Sequence, residues 1–137
     1  MTRPSRETAA QVAARANNRC EYCGMHQSLQ GATFHLEHVV PESRGGNSEI
    51  ETLAWCCPSC NLHKSDRIEA IDPETGKTVP LFNPRRGAWS EHLRLESHKL
   101  IGRTPIGRAT VVALDLNHPR RISIRIAEQR LGILPPP

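Results

Sequence analysis

Two Cys-x-x-Cys pairs, Cys20-Glu21-Tyr22-Cys23 and Cys57-Pro58-Ser59-Cys60, limit what this chain can fold into more than any other feature. Zinc takes four thiolate or imidazole ligands in a tetrahedron, and each pair can wrap one edge of it. One ion held by Cys20, Cys23, Cys57 and Cys60 would close the long loop between the pairs, which a small core would struggle to close alone. Such a site is structural, because four thiolates leave no open position for water. The competing readings are a redox pair or buried cysteines used as small hydrophobes. Cys56 adjoins a ligand, would point elsewhere, and reads as a buried apolar residue.

Composition explains why a staple is needed. The 137 residues suit one folding unit, and with 37% hydrophobic and 4% aromatic residues the apolar core is modest. Five cysteines without a secretory leader point to metal rather than to disulfides, and the chain reads as cytoplasmic, with no membrane span. Lysine plus arginine exceed aspartate plus glutamate by 18 to 14, a net charge of +4 that mildly favours an anionic partner.

Along the chain, the alanine-rich Ser5 to Asn17 predicts a helix with Ser5 as its cap, and Asn17 and Asn18 can end it. The first cysteine pair then forms a knuckle at Gly24. Ala32 to Val40 predicts a strand stopped by Pro41, and Leu53 to Trp55 a short returning strand across the loop PESRGGNSE. CPSCNLHKSDRIEAI predicts a helix opened by Pro58, with Asn61, His63, Lys64 and Arg67 on its exposed surface. DPETGKTVPLFNPRRG reads as a turn-rich connection laid over the core through Leu81 and Phe82. A hairpin in WSEHLRLESHKLIGRT, two short helices in GRATVVALDLN and PRRISIRIAEQR, and a frayed tail LGILPPP complete the reading.

The segment FHLEHVVPESRGGNSEIETLAWCCPSCNLHKSD resembles the HNH endonuclease family, in the subset with two zinc-binding cysteine pairs. The matching features are an acidic residue followed by histidine, an apolar pair and proline, a serine-x-glycine-glycine loop, and a knuckle running into CNxxK. Together they span Cys20 to Arg67. The resemblance implies an α+β fold, a small zinc-stapled ββα-metal nuclease core with flanking helices and a C-terminal hairpin-helix extension. In these terms residues 1–70 hold the N-terminal helix and the core, and residues 71–137 an extension packed on the same core.

Phosphodiester hydrolysis needs a deprotonated water and a cation to stabilise charge on the transition state. His38 is the candidate base, since imidazole titrates near neutral pH. Glu37 is the candidate first ligand of a catalytic magnesium or manganese ion, in a divalent-ion site made up of Glu37, His38 and Asn61. Asn61 aligns with the third family position, and His63 is its rival. Adjacent strand residues point to opposite faces, so Glu37 and His38 reach one phosphate only where the strand ends or bulges. Thr52 stands where the family usually has an asparagine that ties down the loop, and Asn47 is a candidate to compensate. His35 either assists the metal from two residues before Glu37 or has no role.

Arg44, Lys64, Arg67, Arg85 and Arg86 are candidate DNA phosphate contacts, with Arg103 and Arg108 extending the track. The expectation is a metal-dependent DNA endonuclease, monomer or homodimer, with structural zinc, catalytic magnesium or manganese and no small-molecule cofactor. The alternative is a zinc-dependent DNA-binding module whose catalysis the Thr52 change has impaired.

Overall fold

The computed structural model describes residues 5–29, 31 and 33–134. Ala32, at the start of the predicted strand, and Pro135 to Pro137, at the end of the predicted tail, lie outside them.

Helix α1 spans Arg6–Arg15, and the Ser5 hydroxyl accepts the Thr8 amide at 3.0 Å. Glu7 in its first turn and Arg15 in its last complement the helix dipole. Val12 is fully buried, and Asn17 and Asn18 turn the chain through left-handed backbone, a conformation asparagine tolerates. The Arg15 guanidinium reaches the carbonyls of Ile50 at 3.0 Å and Leu53 at 2.7 Å, tying α1 to the element that follows the central loop.

Strands β1 (His35–His38) and β2 (Leu53–Cys56) pair antiparallel, with His35 opposite Cys56 and His38 opposite Leu53. All four β2 residues are buried. Helix α2, Pro58–Lys64, follows at once, with Cys57 as its cap. Two strands and one helix, with one cysteine pair before β1 and the other where β2 meets α2, give the expected small α+β core.

The sequence reading runs this helix too far. Ser65 takes a positive φ of 51° and ends it, and Glu69–Ile71 instead forms β3, paired with β4 (Thr78–Pro80). The supposed irregular connection is therefore a hairpin, closed around Asp72. That buried carboxylate accepts from Arg108 at 2.9 and 2.8 Å, from Thr75 at 2.8 Å and from the Glu74 amide at 3.1 Å. The Arg108 guanidinium holds the Asp72 carboxyl well below the usual carboxylate range. A turn fixed by an arginine 36 positions away leaves no local signal.

The predicted hairpin is present as β5 (Leu93–Glu96) and β6 (Lys99–Gly102), preceded by α3 (Trp89–His92) and followed by α4 (Pro105–Ala113) and α5 (Pro119–Arg130). Gly107 lets α4 touch the end of α3, since a Cβ there would lie 1.8 Å from the His92 carbonyl oxygen. Leu134 is buried, so the tail is packed as far as that residue. One core holds Val12, Tyr22, Leu53 and the cysteines together with Phe82, Leu100, Leu114 and Leu116. No helix among the described residues is long and apolar enough to cross a membrane.

Candidate functional site

The first knuckle closes through the Gly24 amide on the Cys20 carbonyl at 2.8 Å and the Cys20 amide on the Met25 carbonyl at 3.0 Å. The indole of Trp89 donates to the Tyr22 carbonyl at 2.9 Å and pins this turn from the C-terminal half. The second knuckle is the first turn of α2. The sulfurs of Cys20, Cys23, Cys57 and Cys60 lie within 4.8 Å of one another, and all four residues are buried. Ideal tetrahedral zinc with bonds of about 2.3 Å sets its sulfurs ~3.8 Å apart. Cys23 and Cys57 are separated by 3.9 Å, so the four-cysteine cluster fits a structural zinc. Burial pushes the thiols of Cys20 and Cys60 well above free cysteine, and a divalent cation is what would ionise them. Cys56 is buried, as its apolar reading requires.

Strand β1 ends at His38, and beyond it Glu37, His38 and Asn61 line one open cleft of about 660 Å³, with Glu42 and Asp66 on its wall. Glu37 is only 5% exposed. The Tyr22 hydroxyl donates to its Oε2 at 2.6 Å, and Lys64 Nζ stands 2.6 Å from Oε1. Both carboxylate oxygens are thus engaged from within the protein. Burial raises the Glu37 carboxyl against the opposing pull of Lys64. A carboxylate and an amide oxygen lining one cleft are hard donors of the kind magnesium or manganese takes.

Lys64 corrects the sequence reading: it is 1% exposed, with Nζ also on the Val39 carbonyl at 3.0 Å, and is turned away from any phosphate outside. Removing one member of a buried ion pair leaves the other charge uncompensated, at a cost of about 3–5 kcal/mol. Lys64→Met is therefore expected to lower stability by that order in urea unfolding. Adding Glu37→Gln should recover part of the loss, and an additive double variant would show that the pair is not coupled.

His38 Nε2 lies 2.8 Å from Ser48 Oγ and 3.3 Å from Glu42 Oε1, so the loop orients the ring. Neither partner was singled out in the sequence, because both depend on how the loop folds back. Gly46 makes that fold possible: its amide binds the Pro41 carbonyl at 3.0 Å, and a Cβ on it would lie 1.7 Å from the Val40 oxygen. Thr52 closes the loop from the other side. Its hydroxyl sits 2.8 Å from the Glu49 carbonyl, 3.1 Å from that of Asn47 and 2.9 Å from Asn47 Oδ1. Asn47 Oδ1 also accepts the Glu49 amide at 3.0 Å, so Thr52 and Asn47 meet in one cluster that closes the loop.

His63 does not join this cleft. Its Nδ1 lies 2.8 Å from the Ser59 carbonyl and its Nε2 3.9 Å from Asp115, in a separate hollow of about 560 Å³ with His118 and Arg120. His35 is exposed at the far end of β1 and does not line the cleft. Among the arginines, Arg44 bonds the Asp66 carbonyl at 2.8 Å at the cleft wall. Arg67 is tied to the Ala113 carbonyl at 2.9 Å, and Arg85 pairs with Glu21. Arg85 and Arg86 border a different hollow, beside Thr52.

Residues 20–67 match the family model of the HNH endonucleases. Over 109 residues, 78% of this chain, the sequence is 27% identical to the Septu protein PtuB of Bacillus thuringiensis. That stretch covers 40% of the relative, so the chain spans well under half of its length. No solved structure matches the chain. The matched segment contains both cysteine pairs and the cleft residues Glu37, His38 and Asn61.

Proposed function

We infer that this chain, whose residues 20–67 carry an HNH endonuclease domain, hydrolyses DNA phosphodiester bonds with the help of a divalent ion. The observation that carries the reading is the convergence of a carboxylate, an imidazole and an amide, Glu37, His38 and Asn61, on one solvent-open cleft. Magnesium or manganese, when bound, supplies positive charge against the developing phosphorane. Glu37 and Asn61 would hold that ion. His38 takes a proton from the attacking water, and Glu42 and Ser48 keep its ring aimed. Tyr22 and Lys64 fix Glu37 from behind, so the carboxylate needs little reorganisation when the ion arrives. Asn61 is favoured over His63 as third ligand because only Asn61 faces this cleft. Arg44, bonded to the Asp66 carbonyl at the cleft wall, is the basic residue we assign to the phosphate beside the scissile bond.

The test is incubation of the zinc-loaded protein with supercoiled plasmid in magnesium, in manganese or in EDTA. Nicked or linear product is expected with a divalent ion and none with EDTA. Salt-sensitive DNA binding without cleavage under any metal would favour the DNA-binding module instead.

A further inference from the structure

Helix α5 turns a charged face inward. Arg121 is 4% exposed, Arg125 1% and Glu128 0%. Arginine is almost never buried without a compensating partner. Neither Arg121 nor Arg125 meets a carboxylate in an ion pair among the described residues. What Arg121 meets is sulfur: its Nη2 donates to Cys60 Sγ at 2.9 Å and lies 3.6 Å from Cys57 Sγ. Its Nη1 donates to the Leu114 carbonyl at 2.8 Å, which locks the fork between the cysteine cluster and the end of α4. Arg125 stands one turn behind, held by the Asn117 side-chain oxygen at 3.3 Å and the His98 carbonyl at 3.2 Å. Glu128 takes the His26 amide at 2.7 Å.

A divalent zinc with four thiolates carries a formal charge of about −2, and a buried dianion needs compensation as much as a buried guanidinium does. Arg121, in direct contact with two of the sulfurs, and Arg125 one turn behind it put buried positive charge beside the place that dianion would occupy. We propose that Arg121, backed by Arg125, is the counter-cation of the zinc tetrathiolate, so that metal loading and docking of α5 onto residues 20–67 are one coupled equilibrium. The buried guanidinium offsets the negative charge of the loaded cluster, which favours the metal-bound state over the metal-free one. The chain that follows the HNH segment thereby acts as a positioning element for the zinc knuckle. This inference stands independently of the nuclease reading.

The experiment compares the full chain with Arg121→Leu, Arg121→Lys and Ile124→Ala, the last removing half-buried packing from the same helix without touching charge. Zinc transfer to a chromophoric chelator is followed, and the sulfur-to-metal charge-transfer band is read after cobalt substitution. Arg121→Leu should weaken zinc binding about 10- to 100-fold, the range for residues that orient metal ligands. Arg121→Lys should fall between, with its cobalt band moved to lower energy, and Ile124→Ala should hold zinc like the parent. In the parent, stripping zinc should also remove hydrogen-exchange protection from residues 119–130. Zinc affinity unchanged in Arg121→Leu, or equally reduced in Ile124→Ala, would overturn the proposal. Should Arg121→Leu fail to fold, Arg121→Lys decides alone, and an unmoved cobalt band counts against it.

Discussion

Cys57→Ser is expected to lose both its zinc and its tertiary structure. Cys57 is one of the four clustered cysteines that fit a zinc ion, the cap of α2, and a neighbour of Arg121, so one substitution acts on metal site, helix and extension together. Structural zinc contributes on the order of 10–16 kcal/mol in small zinc-dependent folds at neutral pH. That is comparable to or larger than the whole net stability of a domain, about 5–15 kcal/mol. The apolar core cannot cover the deficit, because the four clustered cysteines are themselves part of it, together with Tyr22, Leu53 and Met25. Metal analysis should read about one zinc per chain in the parent and almost none in the variant. Near-ultraviolet dichroism and the cooperative thermal transition should vanish with it. Acid should imitate the substitution: protons compete for sulfurs whose protonated form burial already favours, so zinc is held above the pH at which the cluster protonates and lost as pH falls. A chain that keeps its cooperative transition after complete zinc removal would show that the staple is dispensable.

What the sequence displayed and what it concealed divide along a physical line. Short-range chemistry was legible. Ser5 as a cap, Pro58 opening α2, the two knuckles and the alternation in β5 and β6 all act within a few residues of themselves. Gathering Glu37, His38 and Asn61 into one cleft was legible only as a pattern, because it needs the ββα unit to be closed. Long-range charge pairing was not legible. Lys64 lies on a short helix where an exposed lysine is the ordinary case, yet Glu37, far away in sequence, draws it inside. Asp72 looks like a loop residue until Arg108 supplies its partner. Along α5 the isoleucines 122, 124 and 126 invite a reading with the apolar side inward, but they are only half-buried, while Arg121, Arg125 and Glu128 fill the interior. Apolar periodicity fails there because the groups α5 meets include the Cys57 and Cys60 sulfurs and the carbonyls of Leu114, Leu116 and His98 rather than hydrocarbon alone.

His38→Ala is expected to separate chemistry from folding more sharply than any other change in the cleft. The ring is partly exposed, its side-chain partners Ser48 and Glu42 lie on a solvated loop, and no core contact depends on it. Zinc content and unfolding midpoint should therefore match the parent, and plasmid affinity should hold, since phosphate contacts and not the base set it. Cleavage should fall by about 10²- to 10⁴-fold, the usual contribution of a positioned proton acceptor. His63→Ala is the internal control, because His63 opens on the hollow beside Asp115 and should leave the rate within a few-fold of the parent. Glu37 cannot serve the same purpose: its replacement strands Lys64 as a buried cation, so lost activity would not distinguish a missing metal ligand from a damaged fold. A His38→Ala protein that cuts as fast as the parent would leave the cleft without a base. A His63→Ala protein that loses activity instead would move the chemistry to the opposite face of α2.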